Sequence, residues 1–129
     1  MLKRHNPTTV HAPAGKYSHG VEAPPGARLL YVAGQVGAKP DGTTAQGDAA
    51  QCQQAWDNVK NVLAAAGMSF ADVLKVNAYL TRADLIPAFR EARDRTVGNA
   101  APPASTLVVV AALANPAWVV EIECVAAKA

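Results

Sequence analysis

Aromatic residues are scarce in this 129-residue chain: two Trp, two Phe and three Tyr, 5% of the total. Half of the residues are apolar, so the core must be assembled from Ala, Val and Leu. Such small side chains let helices lie close on a sheet, or subunits pack tightly. Charge is also sparse. Only 17% of residues are charged and the formal net charge is +2, without the basic clusters that mark nucleic-acid or anionic-membrane partners. The two cysteines, Cys52 and Cys124, are far apart and form no CxxC pair. Both read as reduced and buried rather than as a disulfide. His5, His11 and His19 lack metal-ligand spacing, so no metal is expected. No run reaches the roughly 18 apolar residues of a transmembrane helix, and the N-terminus lacks the apolar core of a signal peptide. A cytoplasmic protein without a membrane partner is expected. Internal repeats and low-complexity segments are likewise missing.

What is present reads as one domain over residues 1–129, with a radius of gyration of about 14 Å. The segment 16–22, "KYSHGVE", suggests a short strand, and 27–34, "ARLLYVAG", a stronger one closed by Gly34. Turn chemistry fills 37–48, with Pro-Asp-Gly at 40–42. Asp48 is placed to cap a helix whose apolar positions Cys52, Ala55, Trp56, Val59, Val62 and Leu63 follow 3-4 spacing, and Gly67 stops it. Gln51, Gln54, Asp57, Asn58 and Lys60 form its expected wet face. A strand over 71–80 follows, then a helix opened by Asp84, with Pro87 in its first turn and Ile86, Phe89, Ala92 and Val97 inward. Strands over 105–113 and 118–126 close the chain around an "ANPA" turn.

This order, β-β-α-β-α-β-β, predicts an α+β fold: a single mixed sheet with two helices on one face, built through βαβ crossovers. Runs such as "LLYV" and "LVVV" are apolar on both sides, so the other sheet face needs a cover. Association through that face is the expected solution. The stretch "WVVEIECVA" (118–126) sharpens the point. Alternation puts Val120, Ile122, Cys124 and Ala126 on one face and Glu121 and Glu123 on the other, where they look at water, a neighbouring subunit or a substrate.

Five segments in order, "GKYSHGVE", "LLYVAGQVG", "QCQQAWDNVKNVLAAAGMSFADVLKVNAYL", "PPASTLVVVAAL" and "VVEIECVA", resemble the successive signatures of the RidA/YjgF family. Those signatures are G-P-Y-S-x-A, Y-x-S-G-Q, a Q…N…L-x-x-A-G helix, P-A-R-S and V-E-I-E. The resemblance implies a chorismate-mutase-like fold and a homotrimer whose sheets form a central barrel, with clefts between subunits. It further implies deamination of reactive imines or enamines without metal or cofactor. On this resemblance Glu121 matches the water-orienting glutamate, Tyr17 the cleft tyrosine, Gly34 a backbone group lining the pocket, and Ser105 the serine of P-A-R-S. Aligned without a gap, Ala104 stands at the arginine that grips a substrate carboxylate. Losing a charge-assisted hydrogen bond of about 1.5–3 kcal/mol is expected to weaken such a substrate roughly ten- to a hundredfold. His19 and Phe89 are further departures within the expected cleft, and Thr106 follows Ser105 there.

No base is spaced to activate Ser105 or Thr106 as a nucleophile, which excludes a serine-hydrolase reading. His19, two residues from Tyr17, is a candidate proton donor or anion contact. Arg28, Arg90 and Arg93 are candidates to replace the absent guanidinium. Two functions follow: a hydrolase acting on an imine, enamine or related metabolite, or a non-catalytic trimer that binds a small metabolite or a partner. An RNA-cleaving role would need basic and aromatic residues along a groove, and few are present.

Overall fold

The computed structural model describes residues 1–129. A four-stranded mixed sheet carries two helices, and a two-stranded ladder stands beside it. The elements are β1 (Lys3–His5), β2 (Gly20–Glu22), β3 (Arg28–Val36), α1 (Asp48–Ala65), β4 (Val73–Leu80), α2 (Ile86–Val97), β5 (Ala104–Val109) and β6 (Val120–Lys128). The sheet order is β3-β6-β4-β5. β6 runs antiparallel to both β3 and β4, and β4 is parallel to β5. β3 and β4 are therefore parallel with β6 between them. The stretches β3-α1-β4 and β4-α2-β5 are the two crossovers that the strand–helix alternation predicts.

Several expected boundaries move. Only Gly20–Glu22 of the 16–22 segment is strand, and it pairs with β1, which has no sequence signal of its own. Tyr17 sits in a turn, its N–H bonded to the Gly15 carbonyl at 3.0 Å. The 71–80 strand begins at Val73 because Ser69 and Asp72 form a reciprocal capping box over a short 3-10 turn, Phe70–Asp72. Gly47, not Asp48, occupies the cap of α1 and gives no side-chain bond. Asp48 instead lies in the first helical turn, where its charge suits the dipole, and pairs with Arg82 at 2.6 Å. Asp84 likewise offers no cap and pairs with Arg82 at 3.0 Å. Gly67, with φ +69°, ends α1 as expected: the N–H groups of Gly67 and Met68 bond to the carbonyls of Ala64 and Leu63, a Schellman closure.

The core lies between the helices and one sheet face. It holds Cys52, Ala55, Trp56, Val59 and Leu63 of α1 and Phe89 and Ala92 of α2. Against them pack Val73, Val76, Ala78 and Leu80 of β4 and Val120, Ile122, Cys124 and Ala126 of β6. Both cysteines are free and buried. The expected wet face of α1 fails at Gln51, which is 6% exposed. Its amide donates to the Ala117 carbonyl at 2.9 Å and accepts from the Val119 N–H at 3.0 Å, supplying partners to backbone that enters β6. At Gly37 a side chain would come within 2.7 Å of the Gln51 backbone, so α1 lies against the chain at this point.

Candidate functional site

The opposite sheet face has no helix over it. Alternation and register place Leu29, Tyr31 and Ala33 of β3, Glu121, Glu123 and Val125 of β6, Lys75, Asn77 and Tyr79 of β4, and Ala104, Thr106 and Val108 of β5 on it. Its margins are apolar and exposed: Tyr31 is 74% and Leu29 55% accessible. Its middle is polar. The Lys75 ammonium donates to the Thr106 hydroxyl at 2.6 Å, and the Asn77 amide donates to Glu123 at 3.4 Å. Partial burial, then the Glu123 and Glu121 charges, push the Tyr79 phenol above its ordinary value.

Glu121 stands opposite Val36 on one side and Tyr79 on the other. The β3 ladder slips between Val32 and Gln35, and this bulge turns Gly34 toward the glutamate. A side chain at Gly34 would overlap the Glu121 carboxylate, so glycine leaves the glutamate room for this rotamer, and a larger residue there would make the carboxylate swing away. Glu121 is half-buried. Glu123 is engaged by Asn77, whereas no hydrogen bond within the chain engages the Glu121 carboxylate.

A second group forms on the helix side. Tyr17, Phe89, Arg90, Arg93, Ser105 and Leu107 line an open cleft between the 14–17 loop, α2 and β5. Tyr17 is positioned by its phenol oxygen, which accepts from the Ala14 N–H at 3.2 Å. Next to it, Ser18 is buried and donates to the Pro102 carbonyl at 2.6 Å, so the loop is tied to the segment that leads into β5. His19 stacks edge-on to Tyr17, with ring centroids 5.5 Å apart, and its Nε2 donates to the His11 carbonyl at 2.6 Å. Lys16 and Arg93 both pair with Asp94, at 3.0 and 3.1 Å. The Lys16 hydrogen bond, with help from Arg93, holds the Asp94 carboxyl below its usual range. Arg90 is exposed and has no carboxylate partner.

One chain thus gathers Tyr17, His19, Phe89 and Ser105 at one place and Gly34 and Glu121 at another, on the two sides of the sheet. Ala104 belongs with neither. It pairs with Lys75 on the uncovered face, so strand alternation removes it from the Tyr17 cleft, which Ser105 and Leu107 of the same strand line. Matching Pro103-Ala104 to the P-A of P-A-R-S leaves Ser105 at the arginine and Thr106 at the serine, and Ser105 is the residue that reaches the cleft. Of the candidate replacement cations, Arg90 and Arg93 line the cleft. Arg28 sits at the start of β3 opposite Lys128. Lys75, Asn77 and Tyr79 form a further polar stripe on this face, marked in the sequence by strict alternation with Val76, Ala78 and Leu80.

There is no cluster of three metal-ligating side chains in the chain, and no helix is long and apolar enough to cross a membrane. The model of the endoribonuclease L-PSP family matches residues 8–128. The chain is 34% identical over 118 residues to the RutC family protein PH0854 of Pyrococcus horikoshii, covering 90% of each. It is 34% identical over 119 residues to protein HMF1 of Saccharomyces cerevisiae, covering 91% of this chain and 88% of the relative. The crystal structure of YyfB from Yersinia pestis, described as a Rid-family protein of unknown function, superposes with a TM-score of 0.86 at 33% identity and 98% coverage of both chains. A match over nearly the whole length, in sequence and in fold alike, establishes that the chain belongs to the endoribonuclease L-PSP family, the family also called Rid or YjgF.

Proposed function

We propose that the chain hydrolyses a reactive imine, or an enamine through its imine tautomer, in clefts between the subunits of a homotrimer and without metal or cofactor. The observation that carries the reading is the Glu121 carboxylate: half-buried, fitted into the space left by Gly34, and without a hydrogen-bond partner in its own chain. Such a group is free to accept from a water. In the reaction the water oxygen attacks the C=N carbon while Glu121 takes one of its protons and passes it to the nitrogen. A second proton, from the hydroxyl of the resulting carbinolamine, follows the same route. The C–N bond then breaks, leaving a carbonyl compound and ammonia. A positioned acid–base group of this kind contributes about 10²–10⁴ in rate.

Assembly is part of the reading. Tyr17 and Ser105 lie across the sheet from Glu121, and a second copy seated on the uncovered face brings the two groups into one cleft. The exposed Leu29, Tyr31 and Val108 support burial of that face, since apolar patches of this kind mark interfaces. In such a cleft Tyr17 and His19 position the substrate, Gly34 offers backbone, Phe89 and Ser105 shape the substrate end, and Thr106 holds Lys75. A second reading, a trimer that binds a metabolite without turning it over, is favoured by one observation: Ser105 cannot fork onto a carboxylate as an arginine does.

The test generates 2-imino acids with an amino-acid oxidase and catalase, and lets the protein compete with semicarbazide for them. The hydrolase reading expects a dose-dependent fall in semicarbazone that Glu121→Gln removes. A folded oligomer that leaves semicarbazone formation untouched, for 2-imino acids and for uncharged imines, rejects hydrolysis in favour of binding alone.

A further inference from the structure

The cleft beside Tyr17 is lined by hydrogen-bond donors and by no acid. Its polar lining is Lys16, Tyr17, Arg90, Arg93 and Ser105, and its volume of about 360 Å³ falls in the range of small-molecule sites. Arg90 and Arg93, three residues apart, are neighbours on one face of α2. Arg93 is the more deeply set, its side chain 22% accessible. Its Nε donates to Asp94 Oδ1 at 3.1 Å, and the Lys16 ammonium pairs with the same oxygen at 3.0 Å. Asp94 thereby holds both cations in place, although it is not itself part of the cleft wall. The two terminal nitrogens of the Arg93 guanidinium have no partner within the chain, so the fork that suits a carboxylate or phosphate edge is left free. The Ser105 hydroxyl makes no hydrogen bond within the chain, and the Tyr17 phenol oxygen accepts one from Ala14 but donates none. Three cations against one carboxylate leave a surplus of positive charge at the cleft.

We infer that this cleft is an anion site for a small metabolite with two negative charges, held by the Arg93 fork and by Arg90 from the α2 wall while Ser105 and Tyr17 donate their hydroxyls. The ligand's charge follows from the surplus. A neutral ligand would leave the part-buried Arg93 fork unmet, which is costly, and a singly charged one would match Arg93 and leave Arg90 unmatched. Dicarboxylates and phosphate monoesters share this chemistry. β5 brings only Ser105 and Leu107 to the cleft, so the cations come from the helix and the 14–17 loop instead of from the strand. Taking the anion as part of an imine substrate rests on the hydrolase reading; the anion site does not.

Isothermal titration of the whole protein tests the inference, with succinate, inorganic phosphate, propionate and succinamide as probes at about pH 8, where phosphate is mostly a dianion. Succinate or phosphate should bind saturably, roughly tenfold or more tighter than the singly charged propionate, and neutral succinamide should not bind. Binding should weaken as ionic strength rises. The tighter of the two dianions distinguishes a dicarboxylate ligand from a phosphate one. Arg93→Lys keeps the charge but loses the fork, and should weaken the dianion roughly tenfold. Arg90→Gln, at an exposed position, should weaken it roughly fivefold. Arg95→Gln takes the same charge from the same helix outside the cleft and should leave binding unchanged. No saturable binding of either dianion, propionate as tight as both, or equal losses in Arg90→Gln and Arg95→Gln each overturn the site and leave only a diffuse positive surface. In the imine assay, Arg90→Gln should slow hydrolysis of the aspartate-derived imine roughly fivefold more than that of the alanine-derived one. If succinate binds but this ratio does not move, the anion site stands and its assignment to the substrate falls. If succinate binds and the wild type hydrolyses no imine, the hydrolase reading fails and the anion site stands without it.

Discussion

Glu121 and Gly34 act as a pair, since the carboxylate occupies the volume a side chain at Gly34 would take. On the proposed hydrolase reading, Glu121→Gln keeps the shape and removes the proposed base, so turnover should fall by about 10²–10⁴ while binding of a 2-oxo acid product is retained, as isothermal titration of the variant would show. The cysteines invite a different test at the same scale. Burial, with a small contribution from Glu123, raises the Cys124 thiol to about 12, and burial with Asp48 raises Cys52 to about 11. Both folded-state values lie above the unfolded one. The stabilisation they represent is therefore complete below the unfolded thiol value, about 8.5, and is lost as pH rises from there through about 11 and 12. At pH near 8 the native protein should resist a thiol-exchange reagent, and denaturant should release two reactive thiols. Rapid labelling of either cysteine in the folded state would contradict their burial. Tyr79, raised by partial burial and the two glutamates, should ionise above the ordinary tyrosine range in an ultraviolet titration, with Tyr79→Phe identifying its signal.

At the scale of elements, the junction of α1 with β6 depends on Gln51. Its side chain satisfies the Ala117 carbonyl and the Val119 N–H at the entry to β6. Gln51→Ala should leave both unpaired in a partly buried place and cost about 1–3 kcal/mol. The denaturation midpoint should drop with an unchanged slope. Had Gln51 lain on the solvated face, as its helical position alone implied, the variant would be neutral. The discrepancy is physical: a 3.6-residue period locates a face, but cannot reveal that a strand's entry crosses the first turn of the helix. The same limit explains Asp48 and Asp84. Both residue types suit a cap, and both were drawn instead to Arg82 from two different parts of the chain. By contrast, the inward sets of α1 and α2 and of β4 and β6 were readable from periodicity, because burial on a single face imposes the pattern directly.

For the whole molecule, the uncovered sheet face sets the expectation. On the proposed trimer, replacing Leu29 and Val108 by Lys should yield a folded monomer by sedimentation at micromolar concentration, and any imine turnover should be lost with the cleft. If the wild-type chain is itself a monomer at that concentration, the intersubunit site fails with it. Much of the architecture was legible in the amino-acid sequence. Two helices, the βαβ alternation, the apolar and acidic faces of β6 and the reduced cysteines are consequences of periodicity and composition, which act over a few neighbouring residues. The family signatures added the expectation of Glu121, Gly34 and Tyr17 as site residues. Three things were decided only when the chain folded on itself. Pairing with Lys75 turned Ala104 away from the cleft and put Ser105 there. The register of β3 on β6 brought Gly34 against Glu121. Pairing of Lys16 and Arg93 with Asp94 gathered cations from the 14–17 loop and α2 at one cleft. Each depends on which residues distant in sequence become neighbours, and that is set by strand register and close packing rather than by local preference.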